Sequence, residues 1–576
     1  MMTRPRLIKF ALLGAMSFML GFTYRYHVPK LESFLLVEME RLSKEHLPVR
    51  IWAEGLTFQL LPLGVTLTNV HLLPQAPVDK ILAPAILREA GARLSLWPLL
   101  RGDVRLSKVF VSNSELSIFL TNEMFAEKKT ATQFKIDFDA LYHLPIDEIE
   151  LENIQIQGRL TPQNVVFRIN DLNLSVENRY RSLFVEINAP SVLVKPSGPV
   201  QPLNAQLELR TLVEADEMQV SAFKLKADES FIVASGRFHG DIARGQLVNG
   251  AFDTRSKLNL HDINVWENIF FLQPKIPKVM GYAELDLAME VRRDKGVKVE
   301  GDLSVKGAKI AEFIIGDVKG RATSDLKLIT SDSLVVKNSA GQVEVSKFNM
   351  RLDPKPSGTF NLKSKGIEVH QLLENIDVKR VPILVAVNGE VDCDFALGEG
   401  PELNCAGGFA SPKAHVDTGR PKFSVIVEAT DLRAKGQVKV DSQQVSYKAD
   451  VWVGKNSLGK TDGVIHYDKG FKINYQAEKI DFADVKNLVN LKLEGQLKLD
   501  GSTTGTSDWA TIDMNIDGKN LWLEDYPLGN ATTKLAYRSG TLTFSPTQGQ
   551  YEVTRYNGLI ALDLNKERIR IKGQIP

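Results

Sequence analysis

The chain has 576 residues, 71 Lys and Arg against 70 Asp and Glu, and an apolar content of 43%. A near-neutral balance without a basic stripe argues against nucleic acid as a partner, and the apolar content excludes a disordered chain. The length would ordinarily mean several domains, but no Pro/Gly/Ser-rich linker or low-complexity stretch divides it.

The first element is an uncharged run, Phe10 to Tyr24, preceded by Arg4, Arg6 and Lys9. Counted from Leu7, with Lys9 snorkelling, it is 18 residues long and close to the lower limit for crossing a bilayer. Basic residues on its N-terminal side place that end in the cytoplasm and everything after Arg25 outside it. A cleaved signal peptide is the competing reading. It fits less well, because Ala15-Met16-Ser17 falls inside the apolar run and the far end, Phe22 to Tyr26, offers no small-residue cut site. An anchor over residues 1–27 is therefore expected. Residues 28–48 come next, with Leu31, Phe34, Leu35, Met39 and Leu42 at helical spacing and charged residues on other faces, which predicts an amphipathic helix.

From residue 49 the pattern changes to period 2. Phe134, Ile136 and Phe138 form one apolar row. Leu172, Leu174 and Val176 form another, as do Leu285, Leu287 and Met289, and further on Val445, Tyr447 and Val451. Each row alternates with polar residues, the mark of strands with one apolar and one polar face. Helices able to cover a sheet are nearly absent, which excludes a parallel α/β fold. The expectation is an all-β chain, a long twisted antiparallel sheet with short helical patches. Its apolar face is buried either in β-sandwiches or by curling into a groove, and periodicity alone does not separate the two.

The two cysteines sit in a candidate hairpin. Glu390–Leu397 and Pro401–Phe409 both alternate around Gly398-Glu399-Gly400. If Leu397 faces Pro401, then Cys393 faces Cys405, close enough for a disulfide in an exported compartment. Two reduced, buried thiols are the alternative.

An internal repeat runs through the second half. A Gly opens an alternating strand at Gly281, Gly389 and Gly495, spaced by 108 and 106 residues. Each is preceded by a short segment with helical spacing, at Asp262–Leu272, Glu368–Ile376 and Asp481–Asn490. A second echo sets Ile315-Gly316-Asp317-Val318 against Leu528-Gly529-Asn530-Ala531, 213 residues later. Fixed-period repetition is the sign of a stacked, quasi-one-dimensional architecture. The division expected is an anchor (1–27), an amphipathic helix (28–48), a first β region (49–260) and a repeated β-groove region (261–576).

Catalytic and metal chemistry leave no pattern, and no cofactor is expected. The nine histidines are scattered outside any ligand spacing, and Gly-x-Ser-x-Gly, Walker and Gly-x-Gly-x-x-Gly motifs are missing. Asp513, Asn515, Asp517 and Glu524 match the spacing of an EF-hand loop. They alternate with Ile512, Met514 and Ile516, however, and so belong to the polar face of a strand.

Several segments resemble the AsmA-like family of Gram-negative envelope proteins, which is related to TamB-type and bridge-like lipid transfer proteins. They are Val49-Arg-Ile-Trp-Ala-Glu-Gly-Leu-Thr-Phe, Ala92-Arg-Leu-Ser-Leu-Trp-Pro-Leu-Leu-Arg-Gly-Asp, Pro145-Ile-Asp-Glu-Ile-Glu-Leu-Glu-Asn-Ile and Leu493-Glu-Gly-Gln-Leu-Lys-Leu-Asp-Gly. The resemblance implies a non-enzymatic protein of the bacterial inner membrane, single-pass, its N-terminus cytoplasmic and its bulk periplasmic. It implies that phospholipid acyl chains are sheltered in the groove on the way to the outer membrane, with the apolar rows above as lining. The alternative is a structural scaffold or assembly factor that pairs an envelope protein with the C-terminal sheet edge around Arg568–Ile575.

Overall fold

A computed structural model describes residues 29–45, 47–60, 62–76, 78–120, 145–160, 165–195, 202–242, 246–264, 278–352, 355–376, 383–397, 400–417, 425–488, 492–506, 510–563, 566 and 568–574. The expected anchor and the row Phe134, Ile136 and Phe138 lie outside them. Among the described residues no helix is long and apolar enough to cross a membrane. A helix occupies residues 29–45, and β-strands dominate the later described residues, from Val49–Leu60 to Arg568–Gln574. Among the described residues the strand pairings do not close the sheet into a barrel.

The chain divides into two units, Met1–Leu258 with Asp262–Pro274 and Asp286–Val297, and Asn259–His261 with Lys275–Leu285 and Lys298–Pro576. In the first, strands pair antiparallel with their chain neighbours, with one exception. Leu106–Ser112 and Glu115–Leu120 both run parallel to Glu148–Leu160. The expected sheet was antiparallel throughout. Parallel neighbours need a long connection between them, and residues 121–147 separate these strands in the sequence. In the second unit the described pairings are all antiparallel, so successive connections fall on alternate rims.

Period-2 alternation is interrupted at recurring bulges where two residues oppose one. Glu152-Asn153 oppose Asn173, Lys306-Gly307 oppose Asp317, Lys365-Gly366 oppose Asn388, and Lys519-Asn520 oppose Asn530. The second residue of each pair is left-handed, with φ of 52°, 61°, 66° and 51°. Its N–H donates to the side-chain oxygen of the opposed Asn or Asp, at 2.9, 2.9, 2.8 and 3.1 Å. The orphaned donor is thus satisfied, and Asn and Gly tolerate the backbone conformation. Such bulges bend a sheet and raise its twist. They also account for the 213-residue echo, since Asp317 and Asn530 are the opposed residues. Gly281 and Gly495 lie against two of these bulges with φ of 118° and 112°, where a Cβ would meet carbonyl oxygens at 2.7 and 2.4 Å. Gly389 has no such conformation, so the three glycines are not equivalent.

The short segments between strands serve a common purpose. Each carries a buried Asp or Asn that binds a serine beside a hairpin turn: Ser230 donates to Asp262 (2.6 Å), Ser339 to Asn375 (3.0 Å) and Ser457 to Asp484 (2.8 Å). Residues 260–264 and Val369–Asn375 are helical. The third segment is not, contrary to its spacing. It is a 3-10 turn, Phe482–Asp484, continued by a strand, Val485–Leu488, paired with Val427–Ala429. The strand Val425–Val440 extends beyond its partner Gln444–Val453, whose last pairing is Leu432 with Val453. The open backbone there is better filled by an extended segment than by a helix.

Candidate functional site

The apolar rows of the sequence become continuous stripes across the strands, because residues in register on paired strands share a face. In the first unit Val111, Leu151, Leu174, Ile187, Leu209 and Phe223 form one stripe. Val176 lies in the next, between Ile149 and Val185. Leu172 is 9% exposed and joins Ile154 and Ala189, while Leu174 and Val176 are only half-buried. In the strand Val279–Arg292, Leu285, Leu287 and Met289 alternate in burial with Asp286, Ala288 and Glu290 and are likewise half-buried.

In the second unit one stripe runs Phe360, Cys393, Cys405, Val438, Tyr447, Gly463, Ile473, Thr503, Ile512, Tyr537, Leu542, Leu562. Tyr447, Thr503 and Tyr537 bring its hydroxyl groups, and Gly463 leaves room for the Tyr447 ring, whose hydroxyl lies 3.4 Å from Thr461 Oγ1. Burial pushes the Tyr447 and Tyr475 phenols up, so both stay neutral. Val445 and Val451 lie on the same face as Tyr447. Cys393 and Cys405 are directly opposed and disulfide-bonded, their Cα atoms 4.1 Å apart.

The opposite face is charged, with ion pairs such as Arg538–Asp513 (2.6 Å) and Lys498–Glu478 (2.6 Å). Asp513, Asn515 and Asp517 are exposed there on the strand Ala510–Leu523, and Asp513 is turned to Arg538. Among the described residues no cluster of His, Cys, Asp or Glu has the arrangement of a metal site.

What separates these stripes from an ordinary core is their exposure. Face-to-face sheets bury their inner residues at interior density. Here the two fully buried apolar clusters among the described residues have three members each, Val165, Leu203 and Ala227, and Ile154, Leu172 and Ala189. On the stripes Cys393, Gly463, Thr503 and Leu562 are buried as well, while the other stripe residues are partly open, which fits a groove better than a sandwich.

At the start of the first unit, the helix over residues 29–45 roofs this face. Ser43 pins it: its hydroxyl receives the Ile51 N–H at 2.9 Å and donates to the Glu40 carbonyl at 2.9 Å. Between helix and strands lies a cavity of about 690 Å³ lined by Leu35, Met39, Leu42, Leu67, Val70, Leu72, Leu87 and Ala90 among others. That size is ordinary for a small-molecule site. Glu38 stands at its edge, and the guanidinium of Arg41 holds its carboxyl below the ordinary range. Helical periodicity marked Leu35, Met39 and Leu42, but only the tertiary placement shows that a space remains beneath them.

No family model matches the chain, and no curated protein or solved structure gives a match.

Proposed function

We propose that the protein is a non-enzymatic, lipid-handling protein of the AsmA-like kind, anchored in the inner membrane and periplasmic over most of its length, whose apolar sheet face shelters phospholipid acyl chains. The observation that carries this is the half-burial of the apolar side chains along continuous stripes, Leu151, Leu174 and Ile187 in the first unit and Val438, Tyr447 and Ile473 in the second. Leaving such surface to water costs roughly 25 cal/mol per Å², so an apolar occupant is favoured. Acyl chains suit it: they need no directed hydrogen bonds, and the stripes offer few. The cavity beneath residues 29–45 is the part of this surface nearest in sequence to the expected anchor.

Mass spectrometry of the detergent-purified full chain is the direct test. Co-purifying phospholipid is expected in amounts that survive extensive detergent washing. A lipid-free protein with its fold intact would remove the reading.

A further inference from the structure

One rim of the first unit carries an exposed set of residues that the groove does not use. The connection between Ala85–Leu94 and Leu106–Ser112 contains the one-turn helix Leu96–Leu100, in which Trp97 is 77% and Leu100 78% exposed; Val104 lies just beyond it at 66%. This loop is built rather than slack. Ser95 N–H donates to the Arg105 carbonyl at 2.8 Å, and Arg105 pairs with Asp147 at 2.5 Å. A second connection, residues 179–182, leaves Tyr180 at 86% exposure with the Arg181 guanidinium over its ring at 5.7 Å.

The strand register puts both connections on the same rim. Arg93 is opposite Lys108, Val109 opposite Ile149, and Glu148 opposite Glu177, so residues 95–105 and 179–182 both lie just beyond one row of the sheet. About three strand spacings separate them, roughly 14 Å.

We infer that this rim docks on the surface of a phospholipid bilayer, with Trp97, Leu100 and Tyr180 in the interfacial layer and Arg101 and Arg181 toward the headgroup phosphates. Trp and Tyr favour that layer because their rings are apolar at one end and polar at the other. The arginines supply charge complementarity to anionic lipid. A bilayer is chosen over a protein partner because of the helix over residues 29–45. It spans about 25 Å, is pinned to the first strand by Ser43, and comes directly after the expected anchor, so this unit is held near a membrane. The inference rests on that anchor and on the proposed lipid-handling role, and it adds a surface that seats the groove where lipid is taken up.

The test uses the full chain reconstituted in vesicles of phosphatidylethanolamine and phosphatidylglycerol, with and without brominated acyl chains. Tryptophan quenching by the brominated lipid should lose one component in Trp97→Phe, and Trp97 should be shielded from iodide in vesicles but open to it in detergent. If the chain does not float with vesicles, the anchor fails and this inference with it. A chain that floats but shows identical quenching in wild type and Trp97→Phe overturns the inference alone. So does shielding from iodide without lipid quenching, which would assign the loop to a protein partner. Leu100→Ser with Tyr180→Ser should reduce the Trp97 component without altering flotation, and an unchanged component again counts against a lipid interface.

Discussion

The rings of Phe313 and Tyr467 meet edge to face at 6.2 Å, although they stand on opposite rims of the second unit. Phe313 opens a strand just after the turn at residues 311–312, and Tyr467 begins the turn after Ser457–His466. The Tyr467 hydroxyl also donates to the Asp441 carbonyl at 2.8 Å. A sheet brings its two rims together in this way only by coiling, so the contact acts as a seam. Burial, with the Asp441 charge, pushes the Tyr467 phenol up from 10.0 to about 12.

The seam should therefore be alkali-sensitive. A raised phenol favours the neutral form in the folded state, so its stabilisation is complete below pH 10 and is lost as pH rises through about 12. Urea unfolding measured across that window should show a decline that shrinks in Tyr467→Phe. Phe313→Ala should cost about 0.5–1.5 kcal/mol beyond the lost area, the usual worth of an edge-to-face pair. A double-mutant cycle of Phe313→Ala with Tyr467→Ala that shows no coupling would mean the rims are not joined there.

The bulges give a second expectation. Asn153 sits at φ 52°, accepts the left-handed conformation, and donates its side-chain amide to Asn113 Oδ1 at 2.6 Å. Val at that position should destabilise by about 2–3 kcal/mol, combining roughly 1–2 for the backbone with about 1 for the hydrogen bond. Gly should cost no more than about 1 kcal/mol. Equal losses in the two variants, measured by urea unfolding, would show that the conformation is not what matters.

Asp484 supplies a third. Burial opposes its charge, but the Ser457 hydroxyl and the amides of Lys455 and Asn456, at 2.8, 3.0 and 2.9 Å, outweigh it and hold the carboxyl below its ordinary value. A lowered carboxyl stabilises the fold above its unfolded pKa, and that contribution disappears as pH falls through the folded value. Asp484→Ala should cost about 1–3 kcal/mol at neutral pH, since three donors lose their acceptor. Asp484→Asn should keep much of that stability and flatten the acid-side decline in unfolding curves taken from pH 6 downward. An unchanged decline would remove Asp484 as its source.

Legibility in the sequence tracked physical range. Leu285, Leu287 and Met289 read as one face because strand periodicity is local, and the Cys393–Cys405 register came from a three-residue loop. Asn153 and Asn520 did not read as bulges, since a single left-handed residue looks like an ordinary lapse in alternation. The available signal was a small polar residue or Gly before an apolar one, with Asn or Asp on the next strand. Val485 and Leu488 had helical spacing, yet the overhanging strand beside them decided for extension. The Phe313–Tyr467 contact and the space beneath Leu35 and Met39 depend on how the sheet bends, which no short window contains.

The groove itself is tested by placing a charge on its lining. Leu174 and Tyr447 are half-buried on apolar stripes, and Leu287 is half-buried on the apolar row of its own strand. In a sandwich core, an aspartate there would cost several kcal/mol and the chain would fail to accumulate. On a groove wall the charge reaches water when the groove is empty, so Leu174→Asp, Leu287→Asp and Tyr447→Asp should accumulate and melt near wild type. They should nonetheless lose co-purifying phospholipid, because an unpaired charge against acyl chains is costly. Ala288→Asp is the fitting control, exposed on the other face of the strand that carries Leu287. Ser175 is less suitable, as it already donates to Glu148 and a second carboxylate would repel the first. The expected result is normal lipid content in Ala288→Asp and depleted content in the other three. Variants that fold and keep their lipid would show that the stripes do not hold it.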